Sequence, residues 1–333
     1  AADIYVRGAL SEAWAFVFFP LIFYAAMSLA QTVSLKNLSL LTFSLAGLFL
    51  THNVTTLMFL PFLGLFVIYL CLRERNCKFI PAFLSSFILS LGLTAFFLLP
   101  ASLERQFIQT KYLLVGYFDF RAHFVAVSQF FSTFWGYGSS LWGPKDGLSF
   151  QVGLVHWAVL VLAFFLGIIY RKNTKLLYLL TFLGLSFVIS IFMQHNKSAF
   201  VWEAIPMMAF IQFPWRFLAV SIFIVSITGG AVADYLKNRF GILYIILIVS
   251  VILVNFQYFR PKEYVDNSFF EKFLNTESMR KGVDLTKDYL PVWVQTVDGD
   301  VFDTPRAERG KIEVSRLQRG STSLSFSVNA ISD

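Results

Sequence analysis

FIPAFLSSFILSLGLTAFFLL, residues 79–99, contains no charged side chain and sits between a basic turn, CLRERNCK (71–78), and the polar segment that begins at Ala101. A bilayer hydrocarbon core of roughly 30 Å is crossed by about 20 mainly apolar helical residues, so this stretch reads as a transmembrane helix. Similar stretches lie on both sides: Trp14–Val33, Asn53–Leu72, Val152–Tyr170, Leu176–Met193, Trp215–Tyr235 and the shorter Gly241–Phe256. Leu38–Thr51 is shorter still and predicts a span that packs tightly on its neighbours. The expected fold is an all-α polytopic membrane protein with about eight spans.

Lys and Arg set the expected orientation, since short loops rich in them stay cytoplasmic. They gather at Lys36, at Arg73, Arg75 and Lys78, at Arg171, Lys172 and Lys175, and at Lys237 and Arg239. Only Glu74 and Asp234 oppose them, so these turns hold the whole formal net charge of +7. The basic balance is thus a topology signal. A nucleic-acid partner would need its cations clustered on one soluble face and is not expected. Both ends of the chain are expected outside the cytoplasm, in a cell membrane with membrane lipid as partner.

Composition agrees, with 57% hydrophobic residues, 14% charged and 40 Phe. Cys71 and Cys77 flank a basic turn expected to face a reducing compartment, which excludes a disulfide framework. The domain division predicted is residues 1–256 as a multi-pass membrane domain with exoplasmic loops 101–151 and 194–213, then 257–333 as an exoplasmic tail. Asp3–Ala13 reads as a helix-like lead into the first span. Phe118–Phe134 and Gln194–Phe213 read as amphipathic stretches that lie in the interface plane. In the tail, Asp266–Asn275 predicts a short helix, and Pro291 keeps Leu290 extended. Lys311–Leu317 and Thr322–Val328 alternate around Arg319-Gly320-Ser321, which predicts a hairpin at the start of a β-rich domain. The abrupt start and the strand-like end lead us to expect that both ends are cuts in a longer polypeptide.

Polar and ionisable residues recur at the expected exoplasmic helix ends, where they are costly and usually face a cavity or a partner. Asp3, Tyr5, Arg7 and Glu12 precede or open the first span; His52 and Asn53 lie between two spans; Glu104 and Arg105 follow the fourth; Gln212 and Arg216 bracket the start of the seventh. Each has a plainer reading: Arg216 as an interfacial anchor behind Pro214, His52-Asn53 as a satisfied helix hairpin, Glu104 paired with Arg105 or Lys111, and Trp135, Tyr137 and Trp142 as aromatic-belt residues rather than sugar platforms. His52, His123, His156 and His195 lack zinc-ligand spacing. No phosphate-binding GxxxxGK[ST] is present, and Gly136-Tyr137-Gly138 is too short to signify dinucleotide binding.

In order along the chain, YVRGALSEAWAFVFFPL (5–21), LTHNVTTLMFLP (50–61), LLPASLE (98–104), WGYGSS with SFQVG (135–153), VWEAIPMMAFIQFPWRF (201–217) and DYLPVW (288–293) resemble one family. It is the prokaryotic membrane proteins labelled 6-pyruvoyl-tetrahydropterin synthase-related, close to the YfhO-like proteins. The resemblance covers most of the chain, although nothing here matches a soluble pterin enzyme. It implies the GT-C architecture, in which a many-helix domain transfers sugar from a polyprenyl-phosphate donor to a glycan or envelope-polymer acceptor on the exoplasmic face. On that reading Arg7 and Arg216 would bind donor phosphate, with Arg105 at similar depth, and Glu12 and Glu104 are the catalytic carboxylate candidates beside Asp3 and Glu203. His52, Asn53, Trp135, Tyr137 and Gln212 would contact substrate. No cofactor beyond the donor is implied, and divalent-metal dependence is left open. GT-C enzymes generally carry an acidic residue in the first exoplasmic loop, expected here upstream of Ala1. A transporter or lipid flippase, with polar groups near the midplane of two matching halves, and a non-catalytic envelope scaffold are the other classes compatible with this topology.

Overall fold

The computed structural model describes residues 6–237, 240–274, 290–294, 305, 310–320 and 323–332. Its helices are α1 (Leu10–Gln31), α2 (Leu35–Thr51), α3 (Asn53–Glu74), α4 (Ile80–Leu103), the short α5 (Val127–Phe131), α6 (Leu154–Ile169), α7 (Thr174–Gln194), α8 (Ala199–Ala204), α9 (Leu218–Lys237), α10 (Gly241–Asn255) and α11 (Asn267–Leu274). Two strands follow, β1 (Lys311–Arg319) and β2 (Leu324–Ser332). Residues 1–264 and 265–333 form separate compact units. The chain is therefore a mostly helical, multi-pass membrane protein with a small sheet near its C-terminus.

Among the described residues, six helical segments are long and apolar enough to cross a membrane, and α2 and α6 are shorter, at 17 and 16 residues. Leu38–Thr51 reads as a short stretch, and its helix starts earlier, at Leu35. α6 starts two residues later than Val152 because Gly153, at φ 97, turns the chain before the helix begins. The stretch from Gly241, read as short, continues through a 3-10 turn to Phe259.

The first unit is held by aromatic packing and small residues. Between membrane helices lipid removes most of the hydrophobic drive, so close van der Waals fit carries association. Phe19 of α1 stacks on Phe59 of α3 at 4.2 Å, and Phe23 stacks on Phe66 at 3.9 Å. Phe223 of α9 meets Phe23 edge-on at 4.9 Å, while Phe182 of α7 lies 5.4 Å from Phe66. These rings tie four helices together. Elsewhere the contacts are small: a Cβ on Gly47 of α2 would fall 2.1 Å from the Phe18 ring of α1. Ser86 of α4 donates both to its own Ala82 carbonyl and across to Leu38 of α2.

Short connections make successive helices run in alternate directions, so the start of α1, the α2–α3 junction and the end of α4 share one end of the bundle. The starts of α6 and α9 and the end of α7 lie there too. The segments between α4 and α6 and between α7 and α9 cap that end. The two stretches expected to lie amphipathically in the interface plane are each broken into short turns. Phe118–Phe134 is divided by extended residues at Asp119, Phe124 and Ala126. Gln194–Phe213 is divided at Ile205, held extended (φ −115, ψ 96) before Pro206, where the proline ring disfavours helix.

The membrane unit also extends past residue 256, the expected boundary. Tyr258 is buried, and Tyr137 donates its hydroxyl to the Arg260 carbonyl. In the second unit Asp266 accepts from Phe269 N and Ser268 Oγ at the start of α11, an N-terminal capping arrangement. β1 and β2 pair antiparallel, with irregularities at Lys311/Ile312 and between Ser315 and Gln318. Arg316 there has φ 54.

Candidate functional site

Glu12 lies in the first turn of α1 and is 1% exposed. The chain reaches it through Gly8, at φ 65, with Leu10 N donating to the Gly8 carbonyl at 2.9 Å. Left-handed backbone favours glycine, and the turn folds Arg7 back onto the helix it precedes. Arg7 Nη2 stands 2.9 Å from Glu12 Oε2. The Arg7 guanidinium also lies 4.5 Å from the Trp215 ring centroid, within cation–π range.

Arg216 approaches the same carboxylate from the far end of the sequence, with Nε 3.9 Å from Glu12 Oε2. It sits in a 3-10 turn, Pro214–Phe217, that leads into α9, with Pro214 near its N-terminus, a position where the missing N–H is harmless. Its Nη1 donates to the Ile211 carbonyl at 2.8 Å, and its guanidinium lies 5.0 Å from the Phe213 ring. The Ile211 carbonyl also accepts from Phe213 N at 2.7 Å across Gln212, whose φ of 64 and ψ of −45 form the rare, strained γ-turn. Such strain persists where surrounding structure over-determines it. Here the loop is held by Arg216 on one side and by Gln212 Nε2, which donates to the Leu113 carbonyl at 3.1 Å, on the other.

Two guanidiniums therefore converge on one buried carboxylate. Glu12 Oε1 is buried and meets no hydrogen-bond donor among the described residues. Among the described residues, Arg7, Glu12 and Arg216 are the charged sequence-predicted residues brought together.

The others are placed differently. His52 alone separates α2 from α3, and its Nδ1 accepts from Thr55 N at 3.2 Å and contacts Thr55 Oγ1 at 2.6 Å, so that nitrogen caps α3. Asn53 is exposed. Glu104 is exposed at the end of α4 and forms no ion pair among the described residues, with neither Arg105 nor Lys111. Arg105 lies 5.2 Å from the Phe210 ring. Trp135 stacks on Tyr258 at 4.5 Å, and Tyr137 is exposed beside it. Glu203 pairs with Arg121, which also holds Asp119. Asp3 and Tyr5 lie outside the described residues, as does Arg239.

Sequence reasoning passed over several residues that build this end of the bundle. Trp215 shares Arg7, and no spacing rule would have paired positions so far apart. Asp146 is buried and accepts from Leu141 N and Gln129 Nε2, each at 2.7 Å, which organises the long loop. His123 is 2% exposed; its Nε2 donates to the Tyr117 carbonyl at 2.5 Å and its Nδ1 faces Ser140 Oγ at 2.9 Å. Burial pushes this imidazole below its usual range, ahead of the opposing Tyr117 carbonyl and the Asp146 and Asp119 charges. Among the described residues no three His, Cys, Asp or Glu side chains group as metal ligands. No family model, curated protein or solved structure matches the chain.

Proposed function

We propose that the protein is a GT-C-type membrane glycosyltransferase of the YfhO-like kind, moving a sugar from a polyprenyl-phosphate donor to an envelope acceptor on the exoplasmic face. The observation that carries this reading is the convergence of Arg7 and Arg216 on the buried Glu12 carboxylate at one end of the bundle. A lipid-linked donor holds its phosphate at the membrane boundary, and the Lys- and Arg-rich turns at the opposite end of the bundle support an exoplasmic position for this cluster.

In the transfer, the acceptor oxygen forms a bond to the anomeric carbon as the bond from that carbon to phosphate oxygen breaks. Charge develops on the leaving polyprenyl phosphate, and preorganised cations stabilise it there. Arg7 and Arg216 fill that role. The acceptor hydroxyl gives its proton to a carboxylate. Glu12 is positioned by Arg7 through Oε2 and keeps Oε1 without a described donor; Glu104, exposed at the same end of the bundle, is the alternative base.

The test uses the full-length protein in proteoliposomes with a polyprenyl-phosphate sugar. Arg216→Ala should lower turnover by about 10² to 10³ at equal expression. Arg216→Lys should restore part of it, because it keeps the charge without the planar fork. Transfer by Arg216→Ala at the wild-type rate would return Arg216 to an interfacial anchor and remove the basis for this assignment.

A further inference from the structure

A second site lies in the membrane unit where the loop after α5 meets α6, α9 and the end of α10. It is a cavity of about 160 Å³. Three of its lining side chains hold buried polar atoms that meet no hydrogen-bond partner among the described residues: Trp135 Nε1, Ser149 Oγ and His156 Nδ1. Ser149 is only 4% exposed. Buried polar groups in folded proteins are almost always paired, and an unpaired one bears its full desolvation cost. Three around one space point to something that fills the space and bonds to them.

The chemistry of the lining narrows what that is. Among the described residues no Asp, Glu, Lys or Arg lines the cavity, so its lining favours an uncharged ligand. The unpaired atoms are an indole N–H, a hydroxyl and an imidazole nitrogen, which together donate to and accept from neutral partners. Trp135, stacked on Tyr258, and the aliphatic side chains of α9 supply apolar walls. A volume near 150 Å³ takes one six-membered ring. Space is kept for it at His156: Gly153 has φ 97, and a Cβ there would stand 2.7 Å from His156 Nδ1.

We propose that this cavity binds an uncharged, polyhydroxylated ring, a pyranose sugar, with its hydroxyls on Trp135, Ser149 and His156 and its C–H faces on the apolar walls. Water would satisfy the polar atoms but leave those walls unmatched. In taking the ring to be the sugar portion of donor or acceptor, the proposal rests on the transferase reading. The binding itself does not require transfer.

The experiment is saturation-transfer NMR on the full-length protein in lipid nanodiscs, free of glycoside detergent, with methyl glucoside, galactoside, mannoside and N-acetylglucosaminide as probes. At least one should receive saturation. Ser149→Ala and Trp135→Phe, each checked for an unchanged thermal midpoint, should weaken it about threefold to tenfold, as loss of one hydrogen bond does. If either variant lowers the midpoint, His156→Gln serves in its place. Absence of saturation transfer from all four probes, or equal affinity in the variants, would mean that the cavity holds water only and would overturn the proposal. Sugar binding that follows these variants while polyprenyl-phosphate sugars are not turned over would sink the transferase reading alone. Transfer without such binding would sink this site alone.

Discussion

Arg7 Nη2 lies 2.9 Å from Glu12 Oε2, with side-chain exposures of 15% and 1%. The pair spans the bend at Gly8, so the first turn of α1 and the segment before it are locked by one charge contact. Arg216 then ties the same carboxylate to the start of α9. Through Glu12, the chain's earliest described helix is joined to its ninth.

Glu12 should therefore be structural as well as chemical. Removing one member of a buried ion pair leaves uncompensated charge and typically costs about 3–5 kcal/mol. Glu12→Ala removes the carboxylate that both guanidiniums approach and should lower the thermal midpoint of the detergent-solubilised protein sharply. Replacing Arg7 and Arg216 by Met in the same chain should recover part of the loss, because the repelling charges go with them. Glu12→Ala at the wild-type midpoint would show that the cluster is solvated and contributes nothing to stability.

His123 predicts a pH dependence of known sign. Burial holds its folded pKa below the ordinary histidine value of about 6.5, so the unfolded chain takes up the proton first. Stability is fully present above about pH 6.5 and declines as pH falls from there through the folded pKa. The geometry gives the reason: Nε2 donates to the Tyr117 carbonyl, which leaves Nδ1 to accept from Ser140, and a second proton would disrupt that contact. Unfolding followed from pH 8 to 5 should show this loss, and His123→Gln should flatten it. An identical slope in the variant would assign the pH dependence to other groups.

Gly138 is required by a backbone approach. Gly138 N donates to the Gly147 carbonyl and Gly147 N to the Ser139 carbonyl, each at 2.9 Å. A Cβ on Gly138 would meet Gly147 Cα at 2.8 Å, and backbone cannot swing aside as a side-chain tip can. Gly138→Ala should cost about 1–3 kcal/mol and loosen the loop, visible as faster amide exchange over residues 136–149. Gly143→Ala, with nothing near its Cβ but φ 88, should lose stability through backbone strain alone while leaving exchange at 136–149 unchanged. Equal exchange in wild type and Gly138→Ala would remove the close-approach account.

The helices were legible because hydrophobic length is a one-dimensional signal, and the cap at His52 lay close to one plain reading of THN. The tail hairpin was legible in the alternation of Lys311–Leu317. What escaped was the interior of the loops. Phe118–Phe134 has helix-like periodicity, but its backbone follows three local turns set by tertiary packing, such as Val125 N bonding to the Gln194 carbonyl at 2.8 Å. Arg7 and Arg216 could be named from their depth at helix ends, whereas their meeting at Glu12 depends on how α1 and α9 pack. Ser149 opens the SFQVG segment, which signals no chemistry by itself, and His156 carries no motif; their polar atoms face one cavity only because of the fold. Gly136-Tyr137-Gly138, dismissed as a nucleotide signal, turns out to be a steric requirement.

Orientation is the prediction on which the transferase reading most depends. Lys145 and Lys172 are both exposed, the first in the loop at the end of the bundle bearing Glu12 and the second in the turn between α6 and α7. With Cys71 and Cys77 replaced by Ser, a single Cys at Lys145 should react with a membrane-impermeant maleimide in intact cells. One at Lys172 should react only after the membrane is opened. Cys77, exposed in its own basic turn, supplies an internal check in the otherwise native chain and should behave like the Lys172 site. The expected orientation rests on the Lys and Arg of these turns. Charge reversal at Arg171, Lys172 and Lys175 should therefore raise the fraction of misinserted protein. Labelling at Lys172 but not at Lys145 in intact cells would invert the topology, place the Arg7–Glu12–Arg216 cluster on the cytoplasmic side, and end the case for a donor presented at the exoplasmic face.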